Sequence, residues 1–373
     1  MEMGELISGE VENEWSGSAL STESTIHQLS PYIGKVKSTL AATLVREYSN
    51  LGDTVLDPFA GSGTIPMEAW IHGRNCWAND LSPYARVLTA AKLFPPASLE
   101  DALKRMKSAG KLAASLRRTV DLRTVPIWVR SFFHPETLRD AIAWVQALRS
   151  RREFFILAAL LGILHHQRPG FLSFPSSHTT PYLRRRSFPE AEFPELYKYR
   201  ALTPRLEAKL TRAYRRVPEL DFSLSRRLTA TSADRLSILR PVGAVITSPP
   251  YMRLLDYGRD NRLRLWFLGS PDWKSLDSKV SPNEQHFLAL MRRSLKCWHT
   301  MLKPGAPCVL VVGDSQSRTY GCSLPEALTR IACKEINLYI HESTVHDPIP
   351  IERRSRRSDQ GNASESIVIL KRQ

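Results

Sequence analysis

An α/β protein with a seven-stranded, mostly parallel sheet and a largely helical, basic insertion is the fold class that three features of the sequence predict. The first is an apolar strand that feeds a glycine turn and then a helix, Thr54-Val-Leu-Asp57-Pro58-Phe59-Ala-Gly61-Ser-Gly63-Thr64, running on to Trp70. The second is a later apolar run at 242–246, followed by Thr247-Ser248-Pro249-Pro250-Tyr251. The third is the succession of strand-like and helix-like stretches after 228 that completes a seven-strand pattern.

Residues 54–56 suit a buried parallel strand. Asp57 then falls at its carboxyl end, where open α/β sheets place ligands. Gly61 and Gly63 open backbone conformations closed to other residues and bring N–H groups near a ligand, and Thr64 can help start the helix. An isolated glycine pair also fits an ordinary strand-to-helix turn, but that reading leaves Asp57, Pro58 and Phe59 unexplained. The spacing is not G-x-G-x-x-G, which disfavours a nicotinamide or flavin enzyme.

The 373 residues suffice for one large α/β domain with an insertion, or for two domains. A formal charge of +15 points to a polyanionic partner, with nucleic acid the natural candidate. The cysteines (Cys76, Cys297, Cys308, Cys322, Cys333) are scattered without a C-x-x-C pair. Neither a disulfide framework nor a zinc knuckle is indicated, and a reduced, cytoplasmic setting fits. The stretch 1–15 is acidic and polar, lacks the apolar core of a signal peptide, and reads as part of a loose tail over 1–24. The longest apolar run, 154–164, is too short to span a membrane and reads as a buried helix, so a soluble protein without a membrane partner is expected.

Taken in order, 25–120 forms the first part of the core. A Pro31-Tyr32 turn with Lys35 precedes a helical pattern at 38–48; alone, such a turn reads as a surface turn. The second strand is 75–79, with Asp80 at its end. An acid about twenty positions past a glycine turn can hydrogen-bond both hydroxyls of a ribose. It can equally cap the next helix, and the two roles are compatible. A basic amphipathic helix follows at 98–120, its charges forming a solvated face.

The insertion spans 121–227. Helices are predicted at 135–149 and 153–166, the second nearly all apolar and therefore buried. The loop from His165 to His178 is dense in histidine, aromatic and small polar residues. Without a cysteine or carboxylate cluster it does not read as a metal site, and it is expected to line the substrate cleft. From 182 to 227 the chain is strongly basic, with Arg184, Arg185 and Arg186, then Arg205, Lys209, Arg212, Arg215 and Arg216 at roughly one-turn steps along a helix. Alone, such a run reads as a solvated face. In a chain whose charge points to nucleic acid it becomes a candidate surface for gripping phosphates and reading a target.

The second part of the core, 228–373, opens with a short strand leading to Asp234. A helix is predicted at 283–302, stopped by Lys303-Pro304-Gly305, then a strand at 308–312, a helix at 324–334 and strands at 336–341 and 366–370. Cys308 opens an apolar strand and reads as core.

Asp57-Pro58-Phe59-Ala-Gly61-Ser-Gly63-Thr64 resembles motif I of S-adenosylmethionine-dependent methyltransferases that modify exocyclic amino groups of nucleic-acid bases. Ser248-Pro249-Pro250-Tyr251 resembles their motif IV, and His27-x-x-x-Pro31-Tyr32-x-x-Lys35 their motif X, which packs over the methionine end of the cofactor. The resemblance covers about two thirds of the chain. It implies a Rossmann-like class I methyltransferase fold with S-adenosyl-L-methionine held by Tyr32, Lys35, Asp57, Pro58, Phe59, Gly61, Gly63, Thr64, Asp80 and Asp234. Asp80 takes the ribose and Asp234 the adenine amino group.

In the same reading Ser248, Pro249, Pro250 and Tyr251 carry catalysis. The Ser248 hydroxyl and the Pro249 carbonyl accept the two amino hydrogens, Pro250 stiffens the turn, and the target base stacks on Tyr251. The implied partner is double-stranded DNA with its target base flipped, contacted by Arg184, Arg185, Arg186, Arg212, Arg215, Arg216 and Arg253. A cognate restriction endonuclease and a nucleoid location accompany that reading. Serine at the head of motif IV is associated chiefly with cytosine-N4 methylation, whereas the motif order X, I, II, insertion, III, IV differs from that of many cytosine-N4 enzymes. Adenine-N6 methylation of DNA, RNA amino-methylation and a catalytically silent binding subunit are the alternatives.

Overall fold

The computed structural model describes residues 23–166, 170–174, 188–238, 240–250, 257–280, 283–313, 315–348 and 364–373. One sheet holds β1 (Thr54–Asp57), β2 (Asn75–Asn79), β3 (Arg226–Thr229), β4 (Ala244–Thr247), β5 (Pro307–Gly313), β6 (Tyr339–Pro348) and β7 (Ser364–Arg372), in the spatial order β3-β2-β1-β4-β5-β7-β6. The first five pair in parallel, and β7 runs antiparallel to both β5 and β6. This is the seven-stranded, mostly parallel sheet that the sequence predicts. The order reverses between β1 and β4, and the crevice at such a switch, beyond the carboxyl ends of the strands, is where open sheets bind ligands.

The helices are α1 (Ser38–Glu47), α2 (Thr64–Ile71), α3 (Pro83–Leu93), α4 (Leu99–Arg117), α5 (Ile127–Arg130), α6 (Pro135–Ser150), α7 (Phe154–Leu164), α8 (Leu202–Ala213), α9 (Tyr257–Asp260), α10 (Arg262–Phe267), α11 (Trp273–Val280), α12 (Glu284–Met301) and α13 (Leu324–Arg330). Strand periodicity sorts the central residues between the two faces. Val55, Ile246 and Val309 pack with Leu40, Leu44 and Trp70 of α1 and α2. Their neighbours Leu56, Val245 and Leu310 pack with Met291, Trp298 and Leu328 of α12 and α13. A third cluster joins the insertion to the core: the apolar faces of α6, α7 and α8 close on Tyr84 and Leu88 of α3 and on Ile26 and Leu29. This explains why α7 is apolar all round, since it has protein on every side. No helix among the described residues is long and apolar enough to cross a membrane.

Three expectations need correction. The strand expected at 336–341 begins at Tyr339 and runs to Pro348, because α13 continues into a π-turn at Ile331–Glu335 and Asn337 takes a left-handed φ of 52° before pairing can start. The third strand starts two residues early, at Arg226, in register with β2. The described part of the 165–178 loop folds back onto the insertion and does not line the strand-end pocket. His165 is buried with Nδ1 2.9 Å from Ser173 Oγ, and the N–H groups of Leu172 and Ser173 donate to the carbonyls of Ile163 and Leu164. His178 lies outside the described residues.

Candidate active site

At the strand ends lies a cavity of about 500 Å³. The segment 32–36, the glycine turn, residues 79–82, residues 231–235, the loop after β4 and one face of α12 all line it.

The two main motifs meet through one buried hydrogen bond. Thr247 Oγ1, the last residue of β4, donates to Asp57 Oδ1 at 2.6 Å, and the Phe59 N–H donates to the same oxygen at 3.2 Å. Asp57 is 1 % exposed, and burial, reinforced by the nearby Asp80 charge, pushes its pKa up to about 7. Ser248 and Pro250 line the pocket, while Pro249 is buried between them in sequence. Tyr251 and Arg253 lie outside the described residues.

The raised Asp57 pKa has a defined sign. An Asp held near 7 in the fold and near 3.9 when unfolded keeps its proton only in the folded state across the interval between, so its contribution to stability falls as pH climbs from about 4 to about 7. Asp57→Asn keeps an acceptor oxygen without the titration. The melting temperature of the variant minus that of the wild type should therefore increase with pH over that window in a thermal scan of the unliganded proteins. A gap independent of pH would contradict the assignment.

Asp80 holds the glycine turn. Its Oδ2 accepts the Gly61 N–H and its Oδ1 the Ser82 N–H, both at 2.8 Å. Burial pushes its pKa up to about 6 against those two bonds. The cap of α3 is Ser82, whose Oγ accepts the Ala85 N–H, so Asp80 is free of the capping role and faces the pocket. The helix after the turn is likewise capped differently from expectation: Gly63, not Thr64, is the N-cap, with φ 75° and no side-chain bond, and Thr64 is the first helical residue. A Cβ at Gly63 would lie 2.9 Å from the Thr89 backbone of α3. Gly63→Ala combines that collision with a left-handed φ and should cost about 1–3 kcal/mol, readable in a urea melt.

Tyr32 covers the turn. A Cβ on Gly61 would lie 3.2 Å from the Tyr32 ring. Lys35 lines the same wall, its ammonium 3.3 Å from the His27 carbonyl and 3.7 Å from Glu23. The segment is moored to α2 by His27 Nε2 and Glu68 Oε1, 2.7 Å apart and buried. Burial takes the His27 pKa down to about 4, while the histidine hydrogen bonds take Glu68 to about 2, so a neutral imidazole donates to a carboxylate.

At the far wall, Ser232 Oγ donates to Asp234 Oδ1 and Arg293 Nε donates to Oδ2 at 2.7 Å. Those bonds and the Arg293 charge hold the Asp234 pKa below its ordinary value against burial. Pro58 fixes the turn through its carbonyl, which accepts from Asn79 Nδ2 at 3.0 Å, and Phe59 stands edge-on to Trp298 at 5.9 Å.

Several lining residues were not anticipated. His286, Ala289, Leu290 and Arg293 form one stripe of α12 with helical spacing, legible as a face although nothing in the chain tied it to this pocket. Thr247 and Asn79 were also missed. Asn79 bridges three pieces, donating to Pro58 O and Thr231 O and accepting the Thr231 N–H. Of the basic residues, Arg212, Arg215 and Arg216 are exposed at and just beyond the end of α8 and do not line the pocket, whereas Arg184, Arg185 and Arg186 lie outside the described residues. Cys308 is fully buried in β5, and burial raises its thiol pKa, which makes it a core residue and no nucleophile.

The donor set fits S-adenosylmethionine. A carboxylate at the end of β2 with a free lone pair on each oxygen suits a ribose diol, Asp234 supplies an acceptor, and Phe59, Ile65 and Leu290 give apolar walls.

Residues 10–89 match the family model described as DNA methylase. The type II methyltransferase M.MjaII of Methanocaldococcus jannaschii is 34% identical over 68 residues, which is 18% of this chain and 13% of that protein. Among solved structures, TrmN from Thermus thermophilus aligns at 12% identity and TM-score 0.37 over 91% of this chain and 50% of its own. The rRNA methyltransferase aviRa from Streptomyces viridochromogenes aligns at 12% identity and TM-score 0.38 over 96% of both. The stretch that matches the DNA methylase model carries Tyr32 and Lys35, the glycine turn and Asp80.

Proposed function

We propose that the protein methylates an exocyclic amino group of a base in DNA, with cytosine N4 as the first choice of target. The observation that carries this reading is the Thr247–Asp57 hydrogen bond, which makes the Ser248-Pro249-Pro250 loop and the cofactor-type glycine turn walls of one cavity. S-adenosylmethionine, when bound, supplies an electrophilic methyl group on a sulfonium.

The protein's own task is set by the amine. Its lone pair is delocalised into the ring and must be drawn out and aimed, so much of the gain comes from orientation. Ser248 Oγ and the Pro249 carbonyl accept the two amino hydrogens and favour a more tetrahedral nitrogen. A strong base is unnecessary, because the methylated nitrogen is acidic while it carries positive charge and can lose its proton to solvent. Asp80 holds the ribose, Asp234 the adenine amino group, and Asp57 fixes the turn against β4. A base in a duplex reaches such a pocket by flipping.

The helical block 121–227 serves as the target-recognition region, with the exposed Arg212, Arg215 and Arg216 on phosphates. The serine at the head of the loop favours cytosine N4, and adenine N6 is the alternative substrate for the same mechanism. To test the substrate class, purified protein is incubated with methyl-labelled cofactor and, separately, unmethylated duplex DNA, ribosomal RNA and transfer RNA. Label in DNA supports the reading. Label confined to RNA overturns it.

A further inference from the structure

Tyr257, the first residue of α9, lines the pocket together with Ser248, Pro250 and Tyr32, and no motif gives it a role. Its ring centroid stands 6.2 Å from that of Tyr32 with the planes 32° apart, and Tyr32 in turn stands 5.9 Å from Tyr84. Rings this close already touch. A planar ligand therefore cannot enter between them, and both rings line the cavity.

The mount of Tyr257 is stiff. Asp277 of α11 accepts the N–H of Gly258 at 2.5 Å and of Arg259 at 3.1 Å, satisfying the first turn of α9. Asn261 Nδ2 donates to the Tyr257 carbonyl at 2.9 Å. Gly258 approaches α11 so closely that a Cβ there would lie 2.6 Å from the Trp273 carbonyl. A four-residue helix has no stability of its own, so these contacts are what fix its geometry.

We propose that Tyr257 is a second stacking wall for the target base, in addition to the role given to Tyr251, and that Asp277 is its positioning residue. The inference rests on the reading that a nucleic-acid base enters this pocket. The ring face is wide enough for any base and adds affinity without choosing among them, which leaves the choice to the Ser-Pro-Pro loop and to the recognition surface.

The test uses the full chain as wild type, Tyr257→Phe, Tyr257→Leu, Asp277→Asn and the Tyr257→Leu/Asp277→Asn double variant. Initial rates on duplex DNA are measured alongside calorimetric affinity for S-adenosylhomocysteine. Tyr257→Leu should lower kcat/KM for DNA about tenfold or more, on the scale of a lost base–aromatic stack, while the cofactor-product affinity stays within about threefold. Tyr257→Phe keeps the ring and should stay within about threefold of wild type. Asp277→Asn should fall between, and the double variant should be no worse than Tyr257→Leu, because a residue that acts through the ring has nothing to lose once the ring is gone.

Wild-type kcat/KM in Tyr257→Leu, or an equal loss of S-adenosylhomocysteine affinity, overturns the stacking role. Additive losses in the double variant overturn the role of Asp277. A wild-type protein that methylates no DNA overturns the proposed function, and this inference with it.

Discussion

Ser248→Ala should lower kcat about 10²- to 10³-fold and leave the cofactor's Kd within about threefold, on the scale seen when one preorganised polar contact to the reacting group is removed. The reason is positional. Ser248 follows the last residue of β4, and that residue, Thr247, is tied by its hydroxyl to the buried Asp57. The serine oxygen is thus carried on a strand end that cannot drift, at the side of the cavity where the target amine is proposed to enter. An alanine there removes an acceptor for an amino hydrogen without touching Asp80, Asp234 or the glycine turn. Single-turnover rates paired with calorimetry on S-adenosylhomocysteine read the two effects separately. A parallel collapse of affinity and rate would show that Ser248 belongs to the cofactor's half of the pocket.

Asp80→Ala should do the reverse, weakening cofactor binding about 10- to 100-fold, as expected for losing hydrogen bonds to a charged acceptor. The substitution also strips the N–H groups of Gly61 and Ser82 of their acceptor, so the turn that cradles the ligand loosens at the same time. A pH dependence accompanies it. With its pKa pushed up to about 6, Asp80 is protonated below that value and a poorer acceptor for hydroxyls. Cofactor affinity of the wild type should therefore rise as pH increases through about 6, and Asp80→Asn should flatten the rise. Unchanged affinity in Asp80→Ala would remove the ribose assignment.

The parts of this site that were legible in the chain are those whose chemistry is local. A strand, a turn with two glycines and a helix follow one another without interruption, so residues 54–71 fold much as their order dictates, and Asp80 follows from the next strand. The β1–β4 junction was legible only as two separate strand ends. That Thr247 would bond Asp57 across 190 positions is a matter of sheet order.

What stayed hidden depends on packing at a distance. The α12 stripe of His286, Ala289, Leu290 and Arg293 has ordinary helical spacing and becomes a pocket wall only because α12 covers one face of the sheet. Tyr257 lies in the segment that resembles the one after motif IV, but its place in the pocket depends on Asp277 and Asn261 clamping its backbone. The loop after α7 misled for the opposite reason: its histidine and serine looked like cleft residues, yet they satisfy each other inside the insertion. Strand β6 slipped by three residues because a π-turn, invisible in hydrophobic periodicity, absorbs the chain after α13.

The proposed function puts donor and acceptor of a methyl group in the cavity at the β1–β4 switch, with an amino group of a DNA base as the acceptor. Its most direct test is to treat unmethylated genomic DNA with the protein and methyl-labelled S-adenosylmethionine, digest to nucleosides and identify the labelled product by mass spectrometry. Labelled N4-methylcytosine is the predicted result, and N6-methyladenine would keep the mechanism while moving the target. Label on a ring carbon, or none in DNA from a protein that binds the cofactor, would contradict the account.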